Sequence, residues 1–300
     1  MSRGLEVVPR GFADRIAGRL PDPYVGGDEW LASLPRLIAD LTDEWGLSIS
    51  GRARFGENAL VLPVRVEDED AVLKLTWPHA EAQFEHLPLR AWNGRGAVRL
   101  LRADPSRYAL LLERLGDDDL TCVSVVEGCE VIGHLIRELD HAPLPQLPEF
   151  AATTERWRAA LAAGSSGVPR RFTGQAAGML RELTSGPTVP RLAHQDLHFE
   201  NVLRAARSPW LAIDPKPVNG PPEFAVAAAI WNRPEVTADA ANVRSHLRLR
   251  LGVIVDAGGL DEDIAAAWTF VRVVVNAMWG ADHQPWVSRM VTIAKAMTGE

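Results

Sequence analysis

Cysteine is scarce in this 300-residue chain: Cys122 and Cys129 are the only two. Seven positions apart in what reads as one helix, they exclude a disulfide framework and a zinc site of the CxxC type, and they fit a reducing, cytoplasmic setting. Long apolar runs are missing too. The longest, Trp268 to Trp279, is about twelve residues and is broken by Arg272 and Asn276, and the first 25 positions hold no apolar signal core. Neither a secretion signal nor a membrane span is expected. Net positive charge is absent, since 32 basic residues against 39 acidic ones leave −7. That balance argues against a nucleic acid held by its phosphates and suits a cationic small substrate. No internal repeat or low-complexity segment occurs. What remains, 47% hydrophobic and 24% charged, is ordinary globular composition, long enough for one large domain or two smaller ones.

The pattern of elements changes along the chain. Trp30, Leu31, Leu34, Leu37, Ile38, Leu41 and Trp45 recur at spacings of three and four, which predicts an amphipathic helix over 28–45, with Pro35 able to bend it. LSISGRARFG, ALVLPVRV and AVLKLTW read as antiparallel strands, the last two joined by a charged turn at 67–70. A helix is expected over 78–92, followed by a hairpin of AVRLLRA and YALLLERL around the turn ADPSR. Beyond Asp119 helices dominate, near 121–141, 148–163 and 170–185. A Pro- and Gly-punctuated stretch at 186–222 precedes further helices to the C-terminus. The layout is α+β, with a sheet-rich lobe (1–115) and a larger helical one (116–300), and a small-molecule site is expected in a cleft between them.

Chemistry concentrates in LAHQDLHFENVLRAARSPWLAIDPKP, residues 192–217, which holds His194-x-Asp196-x4-Asn201 and then Asp214 after the run WLAI. Asp196 could take the proton of a substrate hydroxyl. Asn201 and Asp214 offer hard oxygen ligands suited to Mg²⁺. A strand, turn and strand between them would bring both to one sheet edge. The spacing His-x-Asp-x4-Asn alone arises by chance in roughly one to two per cent of chains this long. The bland alternative is a turn-rich loop in which Asp and Asn cap their own backbone.

Lysine gives independent support. Arginine does nearly all the cationic work, and only Lys74, Lys216 and Lys295 remain. Lys74 alternates with Val72 on a strand and would ordinarily face solvent. Alternatively it points into a cleft and binds nucleotide phosphates, oriented by Glu81 or, preferred here, Glu85 on the following helix. No lysine stands in GxxxxGK[ST]; GxGxxG, GxSxG and HExxH are absent. Phosphoryl transfer survives this elimination best.

The order Lys74, helix glutamate, His-x-Asp-x4-Asn, Ile-Asp resembles the kinase-like phosphotransferases, specifically the aminoglycoside phosphotransferase family. LRAWNGRGAVRLL (89–101), LLLERL (110–115), PWLAIDPKP (209–217) and AAAWTFVRVVVNAMW (265–279) look like its streptomycin 6-kinase and hydroxyurea phosphotransferase branch, over about Trp30 to Met297. The resemblance implies a bilobal protein-kinase-like fold and an ATP- and Mg²⁺-dependent transfer to a hydroxyl. Asp196 would be the catalytic base, Asn201 and Asp214 the Mg²⁺ ligands, and Lys74, oriented by Glu85, the phosphate-binding lysine. It also implies a hinge at Glu113-Arg114-Leu115 presenting backbone groups to adenine, and a turn over the phosphates from Phe55 to Asn58.

Three positions depart from the family pattern: Gln195 stands for a common Gly, Ala225 for an Asp that could brace the catalytic loop, and Pro88 lies inside the Glu85 helix. For the acceptor, Glu223, Trp231, Asn276, Trp279 and Asp282 are the candidates, with Asp256, Asp261, Glu262, Asp263 and His283 behind them. The acidic residues suit guanidinium or ammonium groups. For 261–263 the competing reading is a solvated helix start, and for the tryptophans a place in the core. A small, cationic acceptor is expected, on a monomer or a homodimer.

Overall fold

The computed structural model describes residues 7–21, 24–165, 167–186 and 189–298. They fall into two compact units, Met1–Leu115 and Gly116–Glu300.

The first unit opens with α1 (Arg10–Ile16) and α2 (Gly27–Trp45). α2 continues without interruption through Pro35. Trp30, Leu34, Ile38, Leu41 and Trp45 are buried in it, while Leu31 and Leu37 sit at the margin. Strands β1 (Leu47–Ile49), β2 (Arg54–Phe55), β3 (Ala59–Val66) and β4 (Glu69–Thr76) follow, and the turn between β3 and β4 is tighter than the sequence suggested, Glu67-Asp68, with Glu67 at φ 54°. After α3 (His86–Trp92) come β5 (Leu100–Asp104) and β6 (Ala109–Glu113), giving an antiparallel sheet in the order β1-β3-β4-β6-β5, with β2 also on β3. The helix expected over 78–92 is broken. A 3-10 turn at Ala82–Phe84 precedes α3, and Pro88 falls in the first turn of α3, where an amide has no partner inside the helix.

α2 packs its apolar stripe on Leu60, Leu62, Val64, Leu73 and Leu75 of the sheet. Burial of each such side chain contributes about 1.5–3 kcal/mol.

The second unit holds α4 (Val125–Glu138), α5 (Phe150–Ala163) and α6 (Arg170–Leu183), then β7 (Arg191–His194), β8 (Val202–Arg204), β9 (Trp210–Ala212) and β10 (Pro217–Gly220). It closes with α7 (Val226–Trp231), α8 (Pro234–Ala238), α9 (Val243–Gly258), α10 (Glu262–Trp279) and α11 (Gln284–Thr298). Cys122 and Cys129 do not share a helix. Cys122 ends a 3-10 turn, and Ser124 caps the start of α4 by accepting from the Glu127 amide. Two small antiparallel ladders, β7–β10 and β8–β9, carry the 192–217 segment. Beneath it Phe150, Trp157, Phe224 and Trp268 form an aromatic cluster with centroids 5.0–5.6 Å apart. No helix among the described residues is long and apolar enough to cross a membrane.

Candidate active site

Each polar residue of the 192–217 segment is placed by backbone pairing. β7 ends at His194, whose buried ring donates from Nε2 to the Ile213 carbonyl at 3.0 Å and accepts the Asp196 amide at Nδ1, 3.1 Å. Burial pushes its pKa down to about 4, so the ring stays neutral, the form that Nδ1 needs in order to accept. The β8–β9 ladder pairs Val202 with Ala212, and the Ile213 amide adds a bond to the Asn201 carbonyl at 2.9 Å. Asn201 and Asp214 therefore lie at the same end of one hairpin. Asp214 turns the chain away at φ 53°, a left-handed conformation that Asp tolerates better than most residues.

The Asn201 amide nitrogen donates to the Asp196 carbonyl at 3.0 Å and to His198 Nε2 at 3.1 Å, which leaves Oδ1 outside those bonds. With the Asp214 carboxylate it makes a set of hard oxygens. Among the described residues no group of three or more His, Cys, Asp or Glu could hold a metal. Two protein oxygens completed by phosphates and water are what Mg²⁺ ordinarily accepts, so these residues fit that ion.

Two basic residues that the sequence reading gave no role complete this region. Lys216 Nζ lies 2.8 Å from Asp196 Oδ2. Arg272 on α10 donates to the carbonyls of Phe224 and Gln195 at 2.7 and 2.9 Å, a buried bracing of the loop next to Ala225. The only signal in sequence was an arginine interrupting an apolar helix. Gln195 has no positive φ, so the backbone does not require glycine there. His198 is close as well, its Nε2 4.0 Å from Asp196 Oδ2 and its Nδ1 buried without a hydrogen bond, 3.6 Å from Glu200.

In the first unit, Lys74 lies on β4 between β3 and β6, paired with Val61 and Leu110. It is buried, and its ammonium is 2.6 Å from Glu85 Oε1. Glu85 is thus a direct partner of Lys74, and Glu81 is exposed. The Phe55–Asn58 turn is held by the N-terminal segment. Arg15 and Arg19 pair with Glu57 at 2.9 and 2.6 Å, and Arg19 also donates to the Asn58 side chain. At the proposed hinge, the Glu113 amide is committed to the Arg99 carbonyl at 3.0 Å, and the Glu113 carboxylate accepts from the Arg99 amide. Leu115 is half-buried.

The acceptor candidates scatter more widely. Trp231 is half-buried under the Arg272 guanidinium, 4.9 Å from its ring centre. Asn276 and Trp279 follow Arg272 at four and seven positions, one face of α10. Trp279 is 66% exposed at the helix end, edge-on to Trp157. The Glu223 carboxylate accepts the Asp261 amide at 3.4 Å, and Asp261 caps α10 through the Ile264 amide. Asp282 lies beyond α10 and is exposed, as are Glu262 and Asp263 in its first turn.

The family model for aminoglycoside/hydroxyurea antibiotic resistance kinases matches residues 44–283. The chain belongs to that family. It is 38% identical over 284 residues to the streptomycin 6-kinase of Streptomyces glaucescens, covering 91% of this chain and 92% of that one. It is also 37% identical over 293 residues to the hydroxyurea phosphotransferase of Kitasatospora aureofaciens, 91% and 81% covered. A crystal structure of an aminoglycoside phosphotransferase matches it with a TM-score of 0.61 at 14% identity, covering 88% of this chain and 99% of that one, and so shares its α+β, protein-kinase-like fold. Like its family, the chain is a phosphotransferase of the aminoglycoside kinase type, with a small-molecule hydroxyl as acceptor.

Proposed function

We propose that the chain phosphorylates a hydroxyl of a streptomycin-like aminocyclitol antibiotic, using Mg-ATP, and so confers resistance in the cytoplasm. The observation that carries the mechanism is the hairpin register that gathers Asp196, Asn201 and Asp214; identity to a streptomycin 6-kinase supports the acceptor. Asp196 orients the acceptor hydroxyl and takes its proton, which is worth roughly 100- to 10,000-fold. Asn201 and Asp214 hold Mg²⁺, which neutralises charge on the phosphates when bound. Lys74, held by Glu85, binds donor phosphates, and the Glu113–Leu115 hinge and the Asn58 turn contact the nucleotide. Glu223, Trp231, Asn276, Trp279 and Asp282 supply the acceptor side, where carboxylates suit guanidinium groups.

A second reading, a kinase for a small hydroxylated amine or amino sugar on the same scaffold, is favoured by the likeness to the hydroxyurea phosphotransferase. A third reading, a degenerate kinase-like protein that binds without turnover, would rest on the departures at Gln195 and Ala225; the Arg272 bonds beside both argue for an intact loop.

The deciding experiment measures ADP release with Mg-ATP over streptomycin, other aminoglycosides, amino sugars and hydroxyurea, with Asp196→Ala in parallel. A fall in streptomycin turnover of roughly 100- to 10,000-fold in the variant is expected. Turnover of a small amine alone replaces the acceptor and keeps the mechanism. No turnover with demonstrated ATP binding overturns the enzymatic reading.

A further inference from the structure

Lys216 has no role in the scheme above, yet its position is fixed by the fold. The Gln195 amide donates to the Lys216 carbonyl at 3.0 Å, carrying the β7–β10 ladder one pair past His194 and Pro217. Prolines on both sides, Pro215 and Pro217, restrict the backbone there. The ladder thus sets Lys216 beside the loop that carries Asp196, and Nζ lies 2.8 Å from Asp196 Oδ2. Of the three lysines in the chain, Lys295 is exposed on α11, while the other two meet Glu85 and Asp196. Elsewhere arginine does this work. A compact ammonium holds one carboxylate oxygen as a point charge without the planar fork of a guanidinium, which would bridge both oxygens.

We infer that Lys216 is a positioning residue for Asp196: it holds Oδ2 and leaves Oδ1 to receive the acceptor hydroxyl. This rests on the phosphotransferase reading of the site. During transfer the acceptor oxygen forms its bond to the γ-phosphorus as the bond to the β–γ bridging oxygen breaks. ADP leaves with that electron pair, and the hydroxyl proton passes to Oδ1. Lys216 also offsets the Asp196 charge, which would otherwise repel the incoming phosphates. His198 lies farther away, its Nε2 4.0 Å from Oδ2.

The test is a double-mutant cycle with Lys216→Met and Lys216→Arg, each alone and combined with Asp196→Asn, read as kcat, KM and thermal midpoint. Lys216→Met should lower kcat about 10- to 100-fold, as expected for lost orientation. Both KM values should stay within about threefold, and Lys216→Arg should recover part of the loss. In the Asp196→Asn background, Lys216→Met should cost nothing more, because the carboxylate it serves is gone. An unchanged kcat in Lys216→Met, or the same loss on top of Asp196→Asn, overturns the inference while the phosphotransferase reading stands. Wild-type protein that turns over no acceptor overturns that reading, and this inference with it. If Lys216→Met does not fold, Lys216→Arg against Asp196→Asn keeps the cycle readable: full additivity there rejects the role.

Discussion

The Arg272 guanidinium donates to the Gln195 carbonyl at 2.9 Å, joining α10 to the residue immediately before Asp196. Another of its N–H groups donates to the Phe224 carbonyl, and its Cζ lies 4.4 Å from the Phe224 ring centre. Arg272→Met keeps an apolar stem but leaves both carbonyls short of this donor. We expect a stability loss of about 2–4 kcal/mol and a fall in kcat larger than any change in KM for ATP. Urea denaturation and steady-state kinetics check this, and an unchanged kcat would show that the brace is dispensable.

Lys74 and Glu85 form a buried pair, and removing one partner strands the other charge, at about 3–5 kcal/mol. Glu85→Gln should therefore lower stability by that order and raise KM for ATP at least tenfold. Glu81→Gln, on an exposed residue one turn earlier, should do neither. Equal effects from the two would place the lysine's orienting carboxylate elsewhere.

The Arg19–Glu57 pair ties the N-terminal segment to the turn at 55–58, although that segment precedes the residues matched by the family model. Exposed pairs contribute roughly 0–1 kcal/mol, so Glu57→Ala should barely change the melting temperature. Its effect should appear instead as a severalfold rise in KM for ATP as the turn loosens. Kinetics at fixed acceptor and varied ATP decide; an unaltered KM removes the turn from nucleotide binding.

His194 imposes a pH dependence. Its folded pKa is depressed by burial to about 4, below the ordinary 6.5, so the unfolded chain binds the proton more tightly. The stability tied to the neutral ring is fully present above about pH 6.5, is lost as pH falls toward 4, and changes no further below that. Urea midpoints between pH 7 and 4 should decline in the wild type and decline less in His194→Gln. Parallel declines would assign the acid sensitivity to other groups.

Much of this protein was legible in its sequence because the deciding contacts are local. The three-and-four spacing of Trp30 to Trp45 gave α2, and the strand runs gave the sheet, because periodicity reports which face of an element is apolar. Asn201 and Asp214 could be brought together on paper because only one short hairpin separates them, with Val202 opposite Ala212. Tertiary structure decided the rest. The 78–92 helix broke ahead of Pro88, and Lys74 turned inward because β4 is a central strand between β3 and β6 with Glu85 to meet it. Arg272 reaches back 77 positions to a backbone carbonyl. A carbonyl has the same chemistry in every residue, so no pattern of residue types could have announced that bond. Lys216 stood in plain view within IDPKP, but its partner was set by the β7–β10 register, which pairs strands whose closeness only the folded chain creates.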